Sequence, residues 1–244
     1  VGMWSVVVFI PDIEKEFGLD RGTSSLLYAF TMIGFGFGTV VIGKVYDKFG
    51  IKKPILLATF VLITSYYFYS IFPFYWQFLI LQFFMGFAAS AFFGPAMADI
   101  SNFFNKQRGF ALSIVASANY VAGATWPLLI GYFLTFIDWR AAHFWISICL
   151  FIMIPLILLL KNASVDESKS HDMKQRYKDI RLDLSNNQIQ VLLMLAGICC
   201  CVAMAMPQVH MVALCVDNGF GLQVGTEILA VMLYSGMTVS YTHL

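Results

Sequence analysis

The chain has 244 residues and a formal net charge of +1; 59% of the residues are hydrophobic and only 12% are charged. This composition, with a mean hydropathy of +0.77, excludes an ordinary soluble domain. The small net charge gives no reason to expect a nucleic-acid partner. We therefore interpret the sequence as an all-α polytopic membrane protein that lies in the lipid bilayer.

Long runs of the sequence lack Asp, Glu, Lys and Arg, and each is long enough to cross a bilayer as a helix of about 20 residues. The run over 54–98 is too long for one crossing, and its central "IFPFYW" predicts a hairpin. In chain order, the predicted helices are the tail of a first helix at 1–10, then 24–43, 54–72, 77–98, 109–136, 140–160, 188–212, and the beginning of an eighth near 226. Both ends of the chain interrupt a predicted span, so we expect a fragment of a longer protein.

The basic residues predict which ends of the helices face the cytoplasm. All but three of the 15 Lys and Arg lie in the connections at 43–53, 99–108 and 161–187. Cytoplasmic loops are rich in Lys and Arg, so these connections are predicted to be cytoplasmic. The expected location is the plasma membrane, or the inner membrane if the source is bacterial. The three exceptions are Lys15, Arg21 and Arg140.

The longest polar interruption, over 161–187, predicts a linker between two groups of helices. Apolar residues at helical spacing within it (Met173, Tyr177, Ile180, Leu184) predict an amphipathic helix on the cytoplasmic surface, with a disordered charged loop as the alternative. The predicted domains are an N-terminal transmembrane bundle at 1–160 with a truncated first helix, the linker at 161–187, and the truncated start of a second bundle at 188–244.

The charged stretch "GKVYDKFGIKK" lies between the second and third predicted spans. It resembles the cytoplasmic signature of the major facilitator superfamily, G-x-x-x-D-[RK]-x-G-x-[RK]-[RK], at every specified position. The resemblance implies the major facilitator fold, with an N-terminal six-helix bundle, a cytoplasmic linker and the start of a second bundle. The matching residues are Gly43, Asp47, Lys48, Gly50, Lys52 and Lys53.

Several of these residue types have properties that suit such a segment. Gly43 allows a neighbouring helix to approach, and Gly50 allows the chain to turn sharply. Asp47 can accept hydrogen bonds from a helix N-terminus or pair with a basic residue across the interface between the bundles. Lys52 and Lys53 can reach anionic headgroups. The resemblance implies a latch that holds the two bundles together on the cytoplasmic side in one conformation; a plain basic topology anchor is the alternative.

The fifth and seventh predicted spans resemble one branch of that family, which contains monocarboxylate transporters and oxalate/formate-type antiporters. In the fifth span, the shared features are Arg108 at the cytoplasmic entry and Pro127 with Gly131 four residues later. Pro127 leaves a backbone carbonyl without its donor and can bend the helix. In the seventh span, "PQVHMVALCVDNGFG" carries His210 followed by D-x-G, as that branch often does.

The resemblance and the residue chemistry together indicate candidates for contact with substrate or protons. His210 is the only histidine or charged residue of its span, and such a group inside a membrane is a functional candidate; a structural hydrogen bond is the alternative. Gln82 stands where the family's fourth helix commonly has an arginine, and it provides a neutral amide there. His143 lies three residues from Arg140 and is predicted to be an interfacial anchor.

The fifth span also has a polar and aromatic face that can line a cavity, with helix packing as the alternative. Its residues are Asn119, Tyr120 and Trp126. Glycine-rich "GFGFG" at 34–38 lies inside an apolar run with no strand before it, so it predicts helix packing rather than a nucleotide-binding loop. The five cysteines lie in or beside apolar spans without metal-ligand spacing and are predicted to be packing residues.

The resemblance implies a secondary transporter that moves small organic anions, monocarboxylates first, by alternating access. Symport with protons and antiport both remain open, and a dicarboxylate or other-solute antiporter or a non-transporting sensor are the alternatives. A membrane enzyme needs clustered catalytic groups, and no His-Asp, Ser-His or metal-spaced set lies near a predicted span interior. We expect no cofactor and no metal, and a monomer whose partners are the substrate, possible coupling protons and the bilayer.

Overall fold

The computed structural model describes residues 2–104, 107–160 and 185–242, and all regular structure in these ranges is helical. The helices are α1 (Ser5–Phe17), α2 (Arg21–Phe49), α3 (Lys52–Ile71), α4 (Tyr75–Ala89), α5 (Gly94–Phe103), α6 (Arg108–Phe133), α7 (Trp139–Leu150), α8 (Met153–Leu158), α9 (Asn186–Asp217) and α10 (Gly221–Thr242). A short 3-10 turn, Ser90–Phe92, joins α4 to α5.

Six helical segments of the described chain are long and apolar enough to cross a membrane. They are Arg21–Phe49, Lys52–Ile71, Tyr75–Phe103, Arg108–Phe133, Trp139–Leu158 and Asn187–Asp217. This confirms the all-α membrane architecture and the hairpin predicted from "IFPFYW", which turns between Ile71 and Tyr75. The chain is a multi-pass membrane protein.

Several helices extend beyond the apolar runs that predicted them. α2 continues to Phe49 rather than ending at 43, and α5 reaches Phe103 rather than 98. α1 likewise extends to Phe17, and α9 extends to Asp217. In α2, the long side chains of Lys44 and Lys48 can reach the polar region while the backbone stays helical, so the first charge does not mark the end of that helix. The predicted amphipathic helix of the linker lies outside the described residues.

Capping residues explain the turn between α1 and α2. Gly18 ends α1 with a φ of 61°, a left-handed conformation that glycine adopts without strain. Asp20 then caps α2: its side chain accepts hydrogen bonds from the Thr23 amide at 3.1 Å and the Thr23 hydroxyl at 2.6 Å. These bonds hold the pKa of the Asp20 carboxyl below its ordinary value.

The centre of the first group of helices is a close contact between α2 and α4. A methyl group on Gly34 would overlap the carbonyl of Phe83, and one on Gly86 would overlap the carbonyl of Thr31. Small residues allow the two backbones to touch, as is common between membrane helices. The prediction that "GFGFG" packs helices is confirmed for Gly34 and Gly38, while Gly36 points into open space.

His143 lies in the core of the first group of helices, so its prediction as an interfacial anchor was wrong. Its residue is 1% exposed, and its ring stacks on Tyr69 with the ring centres 4.5 Å apart and the planes at 5°. Its Nδ1 donates to the Trp139 carbonyl at 2.7 Å. The prediction used the distance along the chain from Arg140, but one helical turn is enough to carry the side chain from the interface into the core.

The chain divides into two compact units. One comprises Val1–Ala163 together with Val209–Leu244, and the other comprises Ser164–Gln208. The first unit therefore contains α1 to α8, the end of α9 and α10, and the described part of the second is the largely apolar beginning of α9. This grouping differs from the predicted boundary at 188, which stays a prediction for the complete protein.

Candidate functional site

The turns between successive membrane-crossing segments of the first unit lie alternately at two ends. We call the end with the turn between α2 and α3 the motif end. The opposite end, with the turns at 18–20, 72–74, 134–138 and 218–220, is the far end. The candidate functional residues fall at the motif end, along the interior between the two ends, and at the far end.

The motif "GKVYDKFGIKK" is the end of α2 and the start of α3 rather than the predicted loop. Gly50 and Ile51 make the turn, and Gly50 has a φ of 74° and a ψ of −176°, which confirms the prediction of a sharp turn there. Gly43 lies within the helix, and a methyl group on it would meet no described atom within 4 Å. The predicted approach of a neighbouring helix is thus not made by the described part of the chain.

Asp47 lies in the last turn of α2 with its side chain exposed. Among the described residues, no hydrogen bond or ion pair involves its carboxylate. An exposed carboxylate at a helix C-terminus is poorly placed, because the helix dipole is negative there. The predicted latch role for Asp47 stays a prediction, and the geometry leaves the carboxylate accessible to a partner outside the described residues.

The lysines of the motif have contacts within the first unit. The Lys52 ammonium donates to the carbonyl of Leu158 at 2.7 Å, so it caps the C-terminus of α8, where a cation is favourable. Lys53 and Lys48 lie over the ring of Phe49, at 4.7 and 5.3 Å from its centre. Lys52 therefore joins the start of the third span to the end of the sixth.

Asp99 and Arg108 are the charged residues of the fourth and fifth spans at the motif end. Asp99, on α5, is only 7% exposed and accepts a hydrogen bond from the Tyr46 hydroxyl at 3.4 Å. Sequence reasoning missed it because the fourth span was taken to end at Ala98. The sequence signal was an isolated acid directly after an apolar run. Arg108 begins α6, as predicted.

Gln82 lies in a buried hydrogen-bond chain rather than in an open cavity. It is 1% exposed; its carbonyl accepts from Thr31 at 2.9 Å, and its amide donates to the Tyr69 hydroxyl at 3.2 Å. The amide therefore links α2, α3 and α4 at the centre of the bundle. Its predicted contact with substrate or protons stays a prediction, and these bonds give it a structural function in the described conformation.

The three candidates on α6 contact three different neighbours. Asn119 accepts from the Trp4 indole at 3.4 Å, and Tyr120 packs against Gly236 of α10. Trp126 lines an open groove of about 480 Å³ with Ser117, Thr125 and apolar residues of the same helix. The structure does not bring the three together into one site.

Pro127 and His210 complete the predicted set. Pro127 is buried inside α6, and the helix continues without a break from Arg108 to Phe133. His210 is half-buried on α9, in the part that belongs to the first unit. Within the described residues, its imidazole makes no hydrogen bond, so it is a polar side chain available to another partner.

α6 and α10 pack against each other, although one precedes the linker and the other follows it. Near the far end, a methyl group on Gly131 would meet Thr226 at 2.9 Å; nearer the middle, Gly123 faces Leu233 at 3.0 Å. The Thr125 and Tyr234 hydroxyls are 3.1 Å apart. The packing is close and largely apolar, and the contact between Thr125 and Tyr234 is a hydrogen bond between the two helices.

The far end carries ion pairs that the sequence interpretation did not foresee. Arg140 donates to Glu16 at 2.6 Å and to the carbonyl of Phe72 at 2.8 Å, and the Trp139 indole donates to the same Glu16 at 2.8 Å. Arg21 lies beside Glu14 and Asp217. The sequence interpretation assigned no partner to either arginine.

The model of the Major Facilitator Superfamily matches residues 1–242. The chain belongs to this superfamily. The sequence resemblance to the superfamily is thus confirmed, while membership of the monocarboxylate or oxalate/formate branch stays a prediction. No group of three His, Cys, Asp or Glu in the described ranges could hold a metal ion.

Curated relatives of this major facilitator chain include fungal transporters. It is 28% identical over 151 residues to the MFS-type transporter pynF of Aspergillus niger, covering 60% of this chain and 34% of that protein. It is 26% identical over 156 residues to the agnestins efflux protein AgnL12 of Paecilomyces divaricatus (62% and 35%). It is 32% identical over 97 residues to the fujikurins efflux protein of Gibberella fujikuroi (39% and 21%). The matched region thus spans about a third or less of each relative.

Proposed function

We propose that the chain is part of a secondary transporter that moves small organic anions across the membrane by alternating access. The observation that carries this proposal is the packing of α6 on α10, together with the match to the superfamily over residues 1–242. Helices from before and after the linker meet along a largely apolar surface, in which glycines of each helix face larger side chains of the other. Such a surface can separate at one end while it closes at the other.

Monocarboxylates are the first substrate class that we propose. The support is the resemblance of the fifth and seventh spans, with Pro127 and Gly131 on α6 and His210 before D-x-G on α9. An imidazole inside a membrane can donate a hydrogen bond to a carboxylate or carry a proton. The interiors of the described spans contain no Lys or Arg. Of the two histidines there, His143 is enclosed in the core and His210 is half-buried, so His210 is the cationic candidate.

A second candidate is the export of a larger organic compound. The relatives named as efflux proteins for agnestins and fujikurins favour it. The absence of Lys and Arg from the described span interiors suits a substrate recognised by apolar and aromatic contacts, such as those that Trp126 offers in its groove. In this case, net movement is outward, and small acids are not carried.

Flux into proteoliposomes distinguishes these candidates. The intact transporter that carries these residues is reconstituted and assayed with labelled lactate, pyruvate, formate and oxalate, with and without an imposed pH gradient. Accumulation driven by an inward proton gradient supports a monocarboxylate symporter, and uptake only against a preloaded acid supports an antiporter. The absence of flux for every acid contradicts the first proposal and leaves export of a larger compound or a non-transporting sensor.

His210 provides a finer test of the same proposal. If the imidazole contacts the substrate or a proton, His210→Gln changes the pH dependence of uptake, because glutamine keeps the polarity but does not titrate. The matched control is Gln190→Asn, which exchanges one exposed neutral amide for another on the same helix and adds no titratable group. An unaltered pH profile in His210→Gln would show that the imidazole is structural.

A further inference from the structure

Arg21 lies between two carboxylates that come from opposite sides of the linker. Its Nη2 is 2.7 Å from both carboxylate oxygens of Asp217, and its Nη1 is 3.2 Å from Oε2 of Glu14. Glu14 belongs to α1 and Arg21 begins α2, whereas Asp217 is the last residue of α9. A single guanidinium thus connects the first two helices of the chain to the first helix after the linker.

From this geometry, we propose that Arg21 is a positioning residue that holds the far end closed by pairing with Asp217. The inference rests on the proposed alternating access, and it assigns the closed far end to one ion pair. The turn from α9 to α10 follows directly after Asp217. An ion pair that fixes Asp217 therefore also holds the start of α10 against the first helices. Opening of the far end then requires that the pair separate.

Loss of Arg21 is expected to have a larger effect on the closed far end than loss of Asp217, and the surroundings of Arg21 explain why. The Glu14 side chain is 15% exposed and also accepts from the Ser24 hydroxyl, so it keeps Arg21 in place even when Asp217 moves away. The Asp217 side chain is 57% exposed, so solvent can replace Arg21 as its partner when the pair separates. Without Arg21, two carboxylates face the same space and repel each other.

The second ion pair of the far end serves as an internal comparison. Arg140 and Glu16 lie on α7 and α1, which both precede the linker. This pair stiffens the first group of helices but does not connect it to α9 or α10. Its loss therefore has no direct effect on the separation of the helices on the two sides of the linker.

Thr226 provides a reporter of this separation. It is 1% exposed and contacts Gly131 of α6 near the far end. In a Thr226→Cys background, the new thiol is protected while α6 and α10 touch and reacts when they separate. The intact transporter is reconstituted, treated with a membrane-impermeant maleimide, and the modified fraction of the peptide that carries residue 226 is followed over time by mass spectrometry.

The expected labelling rates form an ordered series. Asp217→Asn raises the rate about twofold and Arg21→Gln about fivefold, since a partly exposed ion pair shifts an equilibrium by factors of this size and Arg21→Gln adds repulsion between two carboxylates. The double variant Arg21→Gln/Asp217→Asn falls below Arg21→Gln alone, because it removes one of the repelling charges. Lys15→Gln is the matched control: it removes a positive charge from exposed Lys15 in the last turn of α1, and it leaves the rate unchanged.

Equal rates in Arg21→Gln and Lys15→Gln overturn the proposal, as does a double variant whose effect is the product of the two single effects. If Arg21→Gln does not yield a monodisperse protein, Asp217→Asn tests the proposal by itself, because the exposed Asp217 is not needed for packing. An unchanged labelling rate in Asp217→Asn then overturns the proposal. The labelling does not depend on transport. The ordered series of labelling rates without flux of any acid therefore supports the proposed closure by Arg21 and contradicts the proposed substrates. Flux of an acid without the ordered series supports the substrates and contradicts the closure by Arg21.

Discussion

The two ends of the first unit differ in how the helices on either side of the linker are connected. At the far end, Arg21 bonds Asp217 of α9, and Gly131 of α6 contacts Thr226 of α10. At the motif end, Lys52 connects α3 to α8, which both precede the linker. Gly43 and Asp47 there have no close neighbour and no polar partner, respectively, within the described residues.

This difference indicates which end is closed in the described conformation. The ion pair across the two sides of the linker lies at the far end, and the hydrogen bond between Thr125 and Tyr234 lies nearer the middle. At the motif end, Asp47 has no hydrogen bond or ion pair within the described residues. In an alternating-access cycle, the two ends are closed in turn. If the protein works by the proposed alternating access, the structure corresponds to a state with a closed far end, in which no described residue bonds the Asp47 carboxylate of the predicted latch.

The largest effect is expected from a substitution in the close contact between α2 and α4. Gly86→Ala places a methyl group against the backbone of Thr31 and is expected to destabilise the protein by about 3 kcal/mol, the upper part of the range for overpacking. Thermal unfolding in detergent measures this loss. The matched control is Gly36→Ala, which meets no described atom within 4 Å; an equal loss in both variants would contradict the close contact between α2 and α4.

The next largest effect is expected at the turn of the motif. Gly50→Ala forces a side chain into a backbone conformation with φ 74°, which costs about 1–3 kcal/mol because nearly all residues other than glycine avoid it. Unfolding in detergent again measures the cost. Gly43→Ala, in the same motif but in regular helix, is expected to be neutral or slightly stabilising, and a loss as large as that of Gly50→Ala would show that another helix does contact this position.

Asp47→Asn separates function from stability at the motif end. The side chain is exposed and has no polar partner among the described residues, so the unfolding free energy is expected to change by less than about 0.5 kcal/mol. If the latch proposal is right, flux falls nevertheless, because the charge is needed in the other conformation. Unchanged flux would remove the latch interpretation, and Asp20→Asn, which keeps a capping side chain at the far end, is a suitable control for the loss of one negative charge.

The smallest effect concerns pH and the cap of α2 at the far end. The hydrogen bonds from Thr23 hold the pKa of Asp20 below its ordinary value of 3.8, so the ionised cap is favoured in the folded state. Its contribution to stability is complete above pH 3.8 and is lost as the pH falls through the lowered pKa. The melting temperature of the natural protein is therefore expected to fall more steeply below this pH than that of Asp20→Asn; parallel profiles would contradict the cap.

The order of the helices could be predicted because a bilayer fixes the length of each apolar run. The hairpin between α3 and α4 was recognisable from its proline and aromatic residues, and the sharp turn from Gly50 within the motif. The helix ends were less predictable. Residues 44–49 are helical although three of them are charged, because lysine side chains extend along the helix towards the polar region.

The contacts of individual side chains were predictable only where they are local. The interfacial prediction for His143 failed because it used distance along the sequence, while the rotation of α7 turns the imidazole towards Tyr69. The partner of Arg21 is 196 residues away, and no periodicity or composition connects the two positions. Asp99 was assigned to a loop, and its burial depends on the extension of α5, which only the packed structure shows.

The most direct test of alternating access is a pair of distance measurements between spin labels on α6 and α10. One pair, at Phe136 just beyond the end of α6 and at Gln223, spans the far end, and the other, at Phe110 and Thr238, spans the motif end; all four positions are exposed. Alternating access predicts that a substrate or an imposed gradient lengthens one distance while it shortens the other, as the helices on the two sides of the linker rock. Two distances that lengthen together, or that stay fixed while flux is measured in the same vesicles, would contradict it.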